Sequence, residues 1–393
     1  MAESLRGIKE FADRSGGWNL VTSPPALRSA GEENLHLSAL KSWRGEGVIA
    51  CLTTRHEERF ALRLPFPVVN LSGWQPPQPG GLPRVNADHE QMGRLAAEHF
   101  MSIGLHHFAY YGMQDPWYSR QREAGFQTRL KEAGKSCWVY NQKRDDAEPK
   151  SWLQRHAPLQ HWLKKLPKPV GVFAVQDYRA RVIVEFCERL HLKIPDDVAI
   201  LGVDNDLMTC DYCVPSLSSI SRNPCACGVA AAHMLDDLMQ GRRRVQTTVM
   251  IPPIGVIQRR STDRLYDDDP LIRRVSDYLA MHLDEGDSVA TIAHALKVSR
   301  RLLELRFRER LGLSPHAYLH QRRIAQAKIL LLNRKYDSVR GLAETCGFKS
   351  VRVFRDAFRA LTGTTPADYA HAVQATLLHE PITAGTRLAR RGL

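Results

Sequence analysis

The sequence predicts two domains of different class. An α/β domain of two doubly wound lobes is expected over residues 1–260, and an all-α domain with two helix-turn-helix units over residues 271–375. The first prediction rests on continuous apolar runs that alternate with helical segments, which is typical of a parallel sheet covered on both faces. The second rests on a pattern that occurs twice, in which a short helix, a tight turn and a serine precede an arginine-rich amphipathic helix.

Five apolar runs in the first domain are interpreted as buried strands, because they are short, rich in β-branched residues and bounded by turn residues. They are Gly47–Leu52, Pro67–Leu71, His107–Tyr111, Val170–Val175 and Val198–Val203. Helices are expected between them, over Glu90–Ile103, Gln121–Ala133 and Arg179–Leu190. The number of strand–helix units indicates two lobes rather than one.

Each helix-turn-helix unit is predicted from two residues. Ala293 in the first unit and Ala343 in the second are small, which lets the following helix cross closely. Ser299 and Ser350 are expected to cap those following helices, since a serine oxygen accepts hydrogen bonds from free amides at a helix start. A long apolar-striped helix over Pro315–Leu332 would fix the spacing of the two units.

The two second helices of these units each predict one buried and one exposed face. The buried stripes are Leu303, Phe307 and Leu311, and Phe354, Phe358 and Leu361. Arginine pairs with guanine, and carboxylates accept from cytosine, so the exposed faces are candidate DNA contacts. An arginine-rich face on a single helix more often indicates only a solvated surface, but its repetition favours DNA. Arg301, Glu304, Arg352 and Arg355 are the candidates for base edges, and Arg300, Arg308 and Arg359 for phosphates.

The second unit carries a family resemblance. The spacing of Ala343, Cys346-Gly347-Phe348, Ser350, Phe354, Phe358, Gly363, Thr365-Pro366 and Tyr369 resembles the AraC-type DNA-binding domain. The resemblance covers about a hundred residues, and it implies a double-stranded DNA operator as partner. Lys297 departs from it, because that family usually has glycine there. A non-glycine residue in a left-handed turn costs about 1 kcal/mol, so a strained or differently shaped turn is expected.

Polar residues follow the predicted strands of the first domain, where doubly wound folds bind ligands. Carboxylate, amide and guanidinium groups beside an aromatic ring such as Trp117 or Tyr118 suit a ligand with vicinal hydroxyls. The alternative is that Asp177 and Asp204 only cap the helices that follow them. The candidate ligand residues are Trp117, Arg122, Asp177, Arg181, Asp204 and Asn205.

A second resemblance supports the ligand interpretation. The segments Val85–Asp88, Ile103–Gly112, Arg122–Phe126 and Gly202–Asn205, together with the crossing segment Pro215–Ile220, resemble the two-lobed, periplasmic-binding-protein-like sensor domain of LacI-type regulators. In that family the positions of Arg122, Asp177 and Asp204 line a sugar cleft, which implies the same here. Such sensors begin with a strand, whereas this chain begins in the following helix, so the true start codon is expected upstream.

A LacI-type sensor joined to an AraC-type domain resembles the xylose operon regulators. This implies a homodimeric activator that takes a sugar effector, D-xylose, and that contacts RNA polymerase at some promoters. The formal net charge of +13 agrees with a polyanionic partner. No signal peptide or bilayer-spanning run is found, so a cytoplasmic protein without membrane contact is expected. Residues 261–270 are predicted to form a solvated linker and residues 376–393 a disordered tail.

The cysteines give a rival hypothesis of a different class. The spacing of Cys210, Cys213, Cys225 and Cys227 resembles a zinc site. Zinc beside an AraC-type domain would indicate an alkylation-response DNA repair protein. Against this, the cysteines flank the expected crossing between lobes, where cysteine is commonly a small buried apolar residue. No catalytic or phosphate-binding motif is present, so neither an enzyme activity nor a bound metal or other cofactor is expected.

Overall fold

The computed structural model describes residues 2–22, 40–41, 43–143, 152–242, 248–263, 269–332 and 336–370. Within these ranges two separate sheets and a later group of helices form the predicted architecture. We call residues up to 263 the α/β domain and residues from 269 onwards the helical domain. None of the helices in the described ranges is long and apolar enough to cross a membrane.

The first lobe contains, within the described ranges, a four-stranded parallel sheet in the order β1-β2-β3-β9. Its strands are β1 (Val48–Ala50), β2 (Val68–Asn70), β3 (Arg84–Ala87) and β9 (Thr248–Ile251). Its helices are α1 (Ala2–Ser15), α2 (Arg55–Ala61) and α8 (Pro224–Met239). Gly7 and Gly228 let α1 and α8 touch, because a Cβ at either would lie 2.0 Å from a carbonyl oxygen of the other helix.

The second lobe contains a six-stranded sheet in the order β10-β8-β7-β6-β4-β5, parallel except for β10. Its strands are β4 (His107–Met113), β5 (Cys137–Gln142), β6 (Val170–Ala174), β7 (Val198–Val203), β8 (Ser218–Ser221) and β10 (Gly255–Ile257). Its helices are α3 (His89–Ser102), α4 (Trp117–Glu132), α5 (Trp152–Lys165), α6 (Asp177–Arg189) and α7 (Leu207–Tyr212). Phe108, Tyr110, Phe126 and Phe173 form its fully buried aromatic centre.

The described chain passes between the two lobes after β3, after β8 and after β9. These passages leave a cleft at the carboxyl ends of the parallel strands. The five strands and three helices predicted from the sequence are confirmed, with ends that shift by a few residues. The second crossing begins at Arg222 and Asn223, just after the segment that the resemblance assigned to it, and Asn223 there adopts φ +60°.

The helical domain consists of α9 (Pro270–His282), α10 (Val289–Ala295), α11 (Arg300–Leu311), α12 (Pro315–Leu332), α13 (Val339–Thr345) and α14 (Val351–Thr362). Its described side chains form two separate cores. Helix α12 contributes Tyr318 and Leu319 to the first core, and Ile324 and Leu331 to the second. One helix therefore holds both units in a fixed relation, as the sequence predicts.

The predicted caps and most of the predicted stripes are confirmed. Ser299 accepts a hydrogen bond from the Leu302 amide at 3.1 Å, and Ser350 accepts one from the Val353 amide at 3.5 Å. The side chains of Leu303, Phe307, Phe354 and Phe358 are fully buried, whereas that of Leu311 lies outside the described part. The prediction for Leu361 is wrong, because its side chain is 42% exposed and Tyr369 instead packs against Phe358 at 5.4 Å.

The predicted linker differs from the structure at both ends. A short 3-10 helix spans Arg260–Thr262, and Ser261, Thr262 and Asp263 are buried in the α/β domain rather than solvated. The Ser261 hydroxyl donates to the Ile200 carbonyl at 2.6 Å, which ties this segment to β7. Asp269 is also buried, where it caps α9. Residues 264–268 and the predicted tail 376–393 lie outside the described residues.

Candidate functional site

A cavity of about 220 Å³ lies in the cleft between the two lobes. This is smaller than the roughly 300–1,000 Å³ of pockets for drug-sized ligands, so it suits a small molecule. Its lining combines the rings of Trp74 and Tyr118 with amide, carboxylate and guanidinium groups, which is a set of groups able to hydrogen-bond to and stack against a polyhydroxylated ring. The polar and aromatic lining residues are Ser4, Ser72, Trp74, Asn86, His89, Tyr118, Arg122, Gln176, Asp204 and Arg222.

Arg122 lines this cavity, yet its side chain is almost completely buried, with only 2% exposed. Its contacts hold it in place. Its Nη1 donates to the Val175 carbonyl, its Nη2 lies 3.4 Å from Nδ1 of His89, and its guanidinium carbon lies 5.1 Å from the centre of the Tyr118 ring. Burial lowers the pKa of Arg122, but arginine remains charged at neutral pH. Its Nε has no hydrogen-bond partner among the described residues, so a ligand oxygen can satisfy that donor.

Asp204 lies directly after β7 in a strained backbone conformation, with φ +119°. Such conformations cost about 1–3 kcal/mol and persist where the surrounding structure enforces them. Here the Asp204 amide donates to the Ile220 carbonyl at 3.0 Å, and the carboxylate lies 2.5 Å from Nε of Arg222. Arg222 follows β8 at the crossing between lobes, so the ion pair links the ligand cavity to the hinge.

His89 is a cavity residue that the sequence analysis missed. It is the first residue of α3 and is 4% exposed, with its ring close to those of Trp117 and Tyr118. Burial, together with the charge of Arg122, lowers the pKa of His89 well below its usual value, so the ring is neutral at pH 7. The only sequence signal was its place directly after Val85–Asp88, a segment that resembles part of a LacI-type sugar-binding core.

Asp177 lies behind the cavity lining rather than in it. This residue is 2% exposed and accepts hydrogen bonds from the Ser219 hydroxyl at 2.6 Å and from the Asp206 amide at 2.9 Å. A Cβ at Gly202 would lie 2.2 Å from its Oδ1, so the carboxyl packs against the end of β7. Its contacts support the Asp204–Asp206 turn.

The structure also places three other predicted ligand residues outside the cavity lining. Asn205 accepts from Nη1 of Arg259 at 3.0 Å, facing away from the cleft. Trp117 lies behind the lining, with its ring against His89 and its amide donating to the Trp74 carbonyl at 2.8 Å. Arg181 has a side chain that is 59% exposed and pairs with Glu185, since it lies on the outer face of α6. Of the six predicted ligand residues, Arg122 and Asp204 are thus brought together in the cavity.

The four cysteines of the zinc hypothesis do not form a site. Cys210 and Cys213 pack in the core of the second lobe, and Cys227 packs against the first. Cys225 lies beside α1, with its Sγ 3.9 Å from Oε1 of Glu10. The described residues contain no group of three or more metal-binding side chains, so the structure does not support the zinc alternative.

All seven predicted DNA-contact residues are exposed on the second helix of their unit. Arg300 pairs with Glu304 at 2.8 Å, and Arg352, which is 92% exposed, lies 4.0 Å from Asp356. Pairs this exposed contribute little to stability, so their arginines are available to a duplex. The other predicted contacts on these two faces are Arg301, Arg308, Arg355 and Arg359.

The turns of the two units use different residues for the same backbone conformation. Lys297 adopts φ +55° in the first turn, and Gly347 adopts φ +75° in the second. The strained turn expected from Lys297 is therefore confirmed. At Gly347 a side chain is also excluded sterically, because a Cβ would lie 2.3 Å from the Leu283 carbonyl oxygen.

Comparison with known domains defines the class of protein. Residues 97–262 match the periplasmic binding protein-like domain, and residues 281–372 match a helix-turn-helix domain. The chain is a DNA-binding transcription regulator that joins a LacI-like sensor domain to an AraC-type helix-turn-helix domain.

Within this class, the chain is similar over most of its length to xylose operon regulatory proteins. It is 29% identical to that of Escherichia coli (strain K12) over 342 residues, which cover 85% of this chain and 86% of the relative. It is also 29% identical to that of Haemophilus influenzae, over 73% of this chain and 74% of the relative. These relatives give no support to a repair function.

Two solved structures agree with this similarity. The structure of the xylose-binding transcription activator XylR superposes with a TM-score of 0.58 at 27% identity and covers 94% of both chains. A LacI-type regulator from Alkaliphilus metalliredigens, complexed with D-xylulofuranose, superposes with a TM-score of 0.52 at 19% identity. That match covers 66% of this chain and supports the two-lobed fold alone.

Proposed function

We propose that this regulator senses D-xylose in the cleft cavity and activates sugar-utilisation genes in response. The observation that carries the proposal is that Arg122 and Asp204 both line one small polar cavity, in a chain similar to xylose operon regulators. Arg122 would donate to one pair of sugar hydroxyls, and Asp204 would accept from another. Trp74 or Tyr118 would stack on the apolar face of the ring.

Binding would act through the hinge. The carboxylate of Asp204 is paired with Arg222 at the crossing between lobes. A sugar that accepts a hydrogen bond from Arg222 or donates one to Asp204 would replace part of this ion pair by contacts to its own hydroxyls. A ligand that binds one lobe arrangement more tightly shifts the population towards it. In a homodimer this shift would reorient the two helical domains on the operator. Within each domain, α12 would set the spacing of the two exposed helices, so that both enter successive major-groove faces about 34 Å apart.

Isothermal titration with D-xylose tests the sensor proposal, with L-arabinose and D-ribose as sugar controls. Wild-type protein is expected to release heat with D-xylose, and Asp204→Ala is expected to abolish it. Arg181→Ala is the matched control, because this exposed residue lies outside the cavity and its loss should leave the affinity unchanged. Loss of binding in Arg181→Ala with retention in Asp204→Ala would place the site elsewhere.

The remaining parts of the proposal concern assembly and location. We infer a cytoplasmic homodimer that binds an operator without enzymatic activity and contacts RNA polymerase where the operator adjoins a promoter. The net charge of +13 supports the polyanionic partner. Light scattering of the purified chain, with and without operator DNA, tests the dimer. A monomer on DNA would contradict it.

A further inference from the structure

A second cavity, of about 410 Å³, lies in the helical domain between the two helix-turn-helix units. We call it the inter-unit cavity. It opens between the amino-terminal ends of the two exposed helices, with Arg300 and Glu304 of α11 on one side and Ser350 and Val353 of α14 on the other. The opening therefore lies between the ends of the two helices that are the candidates for the major groove.

The charges of the inter-unit cavity favour an anion. Three cationic side chains line it, of which Arg300 is already paired with Glu304. The carboxylate of Asp287, the second acidic group in the lining, accepts from the Tyr278 hydroxyl at 2.5 Å. This leaves Lys349 and Arg323 as positive charges without a carboxylate partner among the ion pairs of the described residues.

Arg323 supplies a buried donor that points to a ligand. It is only 5% exposed, its Nη2 donates to the Asp287 carbonyl at 2.9 Å, and its guanidinium packs over the Phe348 ring. Its Nε has no hydrogen-bond partner among the described residues. Buried donors in native proteins are normally satisfied, so this unsatisfied donor, on a side chain that lines the cavity, is a candidate partner for a bound anion.

Two further features supply donors on the same wall. Helices α12 and α14 both begin at the cavity, and a helix start favours negative charge, although Ser314 and Ser350 each already accept from one amide there. His320 also lines it, with its ring 4.1 Å from that of His316. Burial, together with the neighbouring His316 and Arg323, lowers the pKa of His320 to about 4, so at neutral pH it is an uncharged ring with one N–H donor.

We propose that the inter-unit cavity binds one phosphate group of the DNA backbone, held by Lys349, His320 and the Nε of Arg323. The proposal rests on the proposed function, in that the chain must bind duplex DNA. It adds a contact from residues outside the two exposed helices, since Lys349, His320 and Arg323 belong to neither α11 nor α14. Such a contact fixes register and affinity without reading sequence.

The first test measures DNA binding by fluorescence anisotropy on a duplex that the protein selects from random sequence, and on a scrambled duplex. Lys349→Gln and His320→Gln are compared with Arg340→Gln. Arg340 is an exposed residue outside the cavity that pairs with Glu344, and its replacement removes the same charge as Lys349→Gln. Losing one phosphate contact reduces the slope of log K against log salt by about 0.9, which is about fivefold in affinity at 0.15 M salt.

Lys349→Gln should therefore weaken both duplexes about fivefold, and Arg340→Gln should weaken neither. The second test replaces single phosphates of the selected duplex by neutral methylphosphonates, one position at a time. When the phosphate between the two grooves is neutralised, wild-type protein should bind more weakly than it binds the unmodified duplex. Lys349→Gln, which has already lost this contact, should bind both duplexes equally. Additive losses at every position would overturn the proposal. Wild-type protein that binds no duplex would remove the proposed function as well, which distinguishes the two failures.

Discussion

Replacing Asp177 by asparagine should change how the stability of the α/β domain depends on pH. Burial raises the pKa of Asp177 from its usual 3.8 to about 7, although the Ser219 hydroxyl and the Asp206 amide both favour the charged form. Between these two values the folded state keeps a proton that the unfolded state has lost. Raising the pH through this window therefore lowers the free energy of unfolding, by about 1.4 kcal/mol per pH unit for this one group.

From pH 5 to pH 7 the expected loss is about 2 kcal/mol, because the group is already half titrated at pH 7; this loss is present in wild type and absent in Asp177→Asn, which has no proton to release. Urea unfolding followed by tryptophan fluorescence at pH 5, 6 and 7 measures it. All seven tryptophans lie at or before residue 162, so the signal reports the α/β domain alone. Other carboxylates affect both proteins equally and cancel in the difference. A difference between the two proteins that stays constant from pH 5 to pH 7 would falsify the reasoning.

Two further predictions concern the helical domain. Lys297→Gly should stabilise it by about 0.5–1 kcal/mol, because relief of a left-handed turn exceeds the added freedom of the unfolded chain. Gly347→Ala should destabilise it by about 2 kcal/mol or more, owing to the clash with the Leu283 carbonyl. Calorimetry measures the unfolding temperature of both variants. A shift of the same sign and size in the two variants would contradict these assignments. Arg352→Ala should cost about 1–3 kcal/mol on the cognate duplex and relax specificity at one base, whereas Arg359→Ala should weaken cognate and scrambled duplexes alike. Anisotropy distinguishes these outcomes, and equal losses on both duplexes for Arg352→Ala would refute its assignment to a base edge.

Local sequence was sufficient for most of the fold. Strand and helix positions follow from hydrophobic periodicity and capping residues, which act within a few residues of one another, so Val198–Val203 and the caps Ser299 and Ser350 were predicted correctly. The wrong prediction that Leu361 is buried also comes from reliance on local periodicity. Periodicity places a residue on a face, but Tyr369 covers that end of the core, and its position is set by the chain after α14.

The residues of the ligand cavity were only partly predictable from the sequence. The sequence alone determined that polar residues end the strands, and Arg122 and Asp204 followed from that rule together with the LacI-type resemblance. Only the tertiary structure decided that Asp177 turns inwards to Ser219, that Arg181 faces solvent, and that His89 lies beside Arg122. Such choices depend on contacts between segments that are far apart in the chain, and no local pattern encodes their geometry.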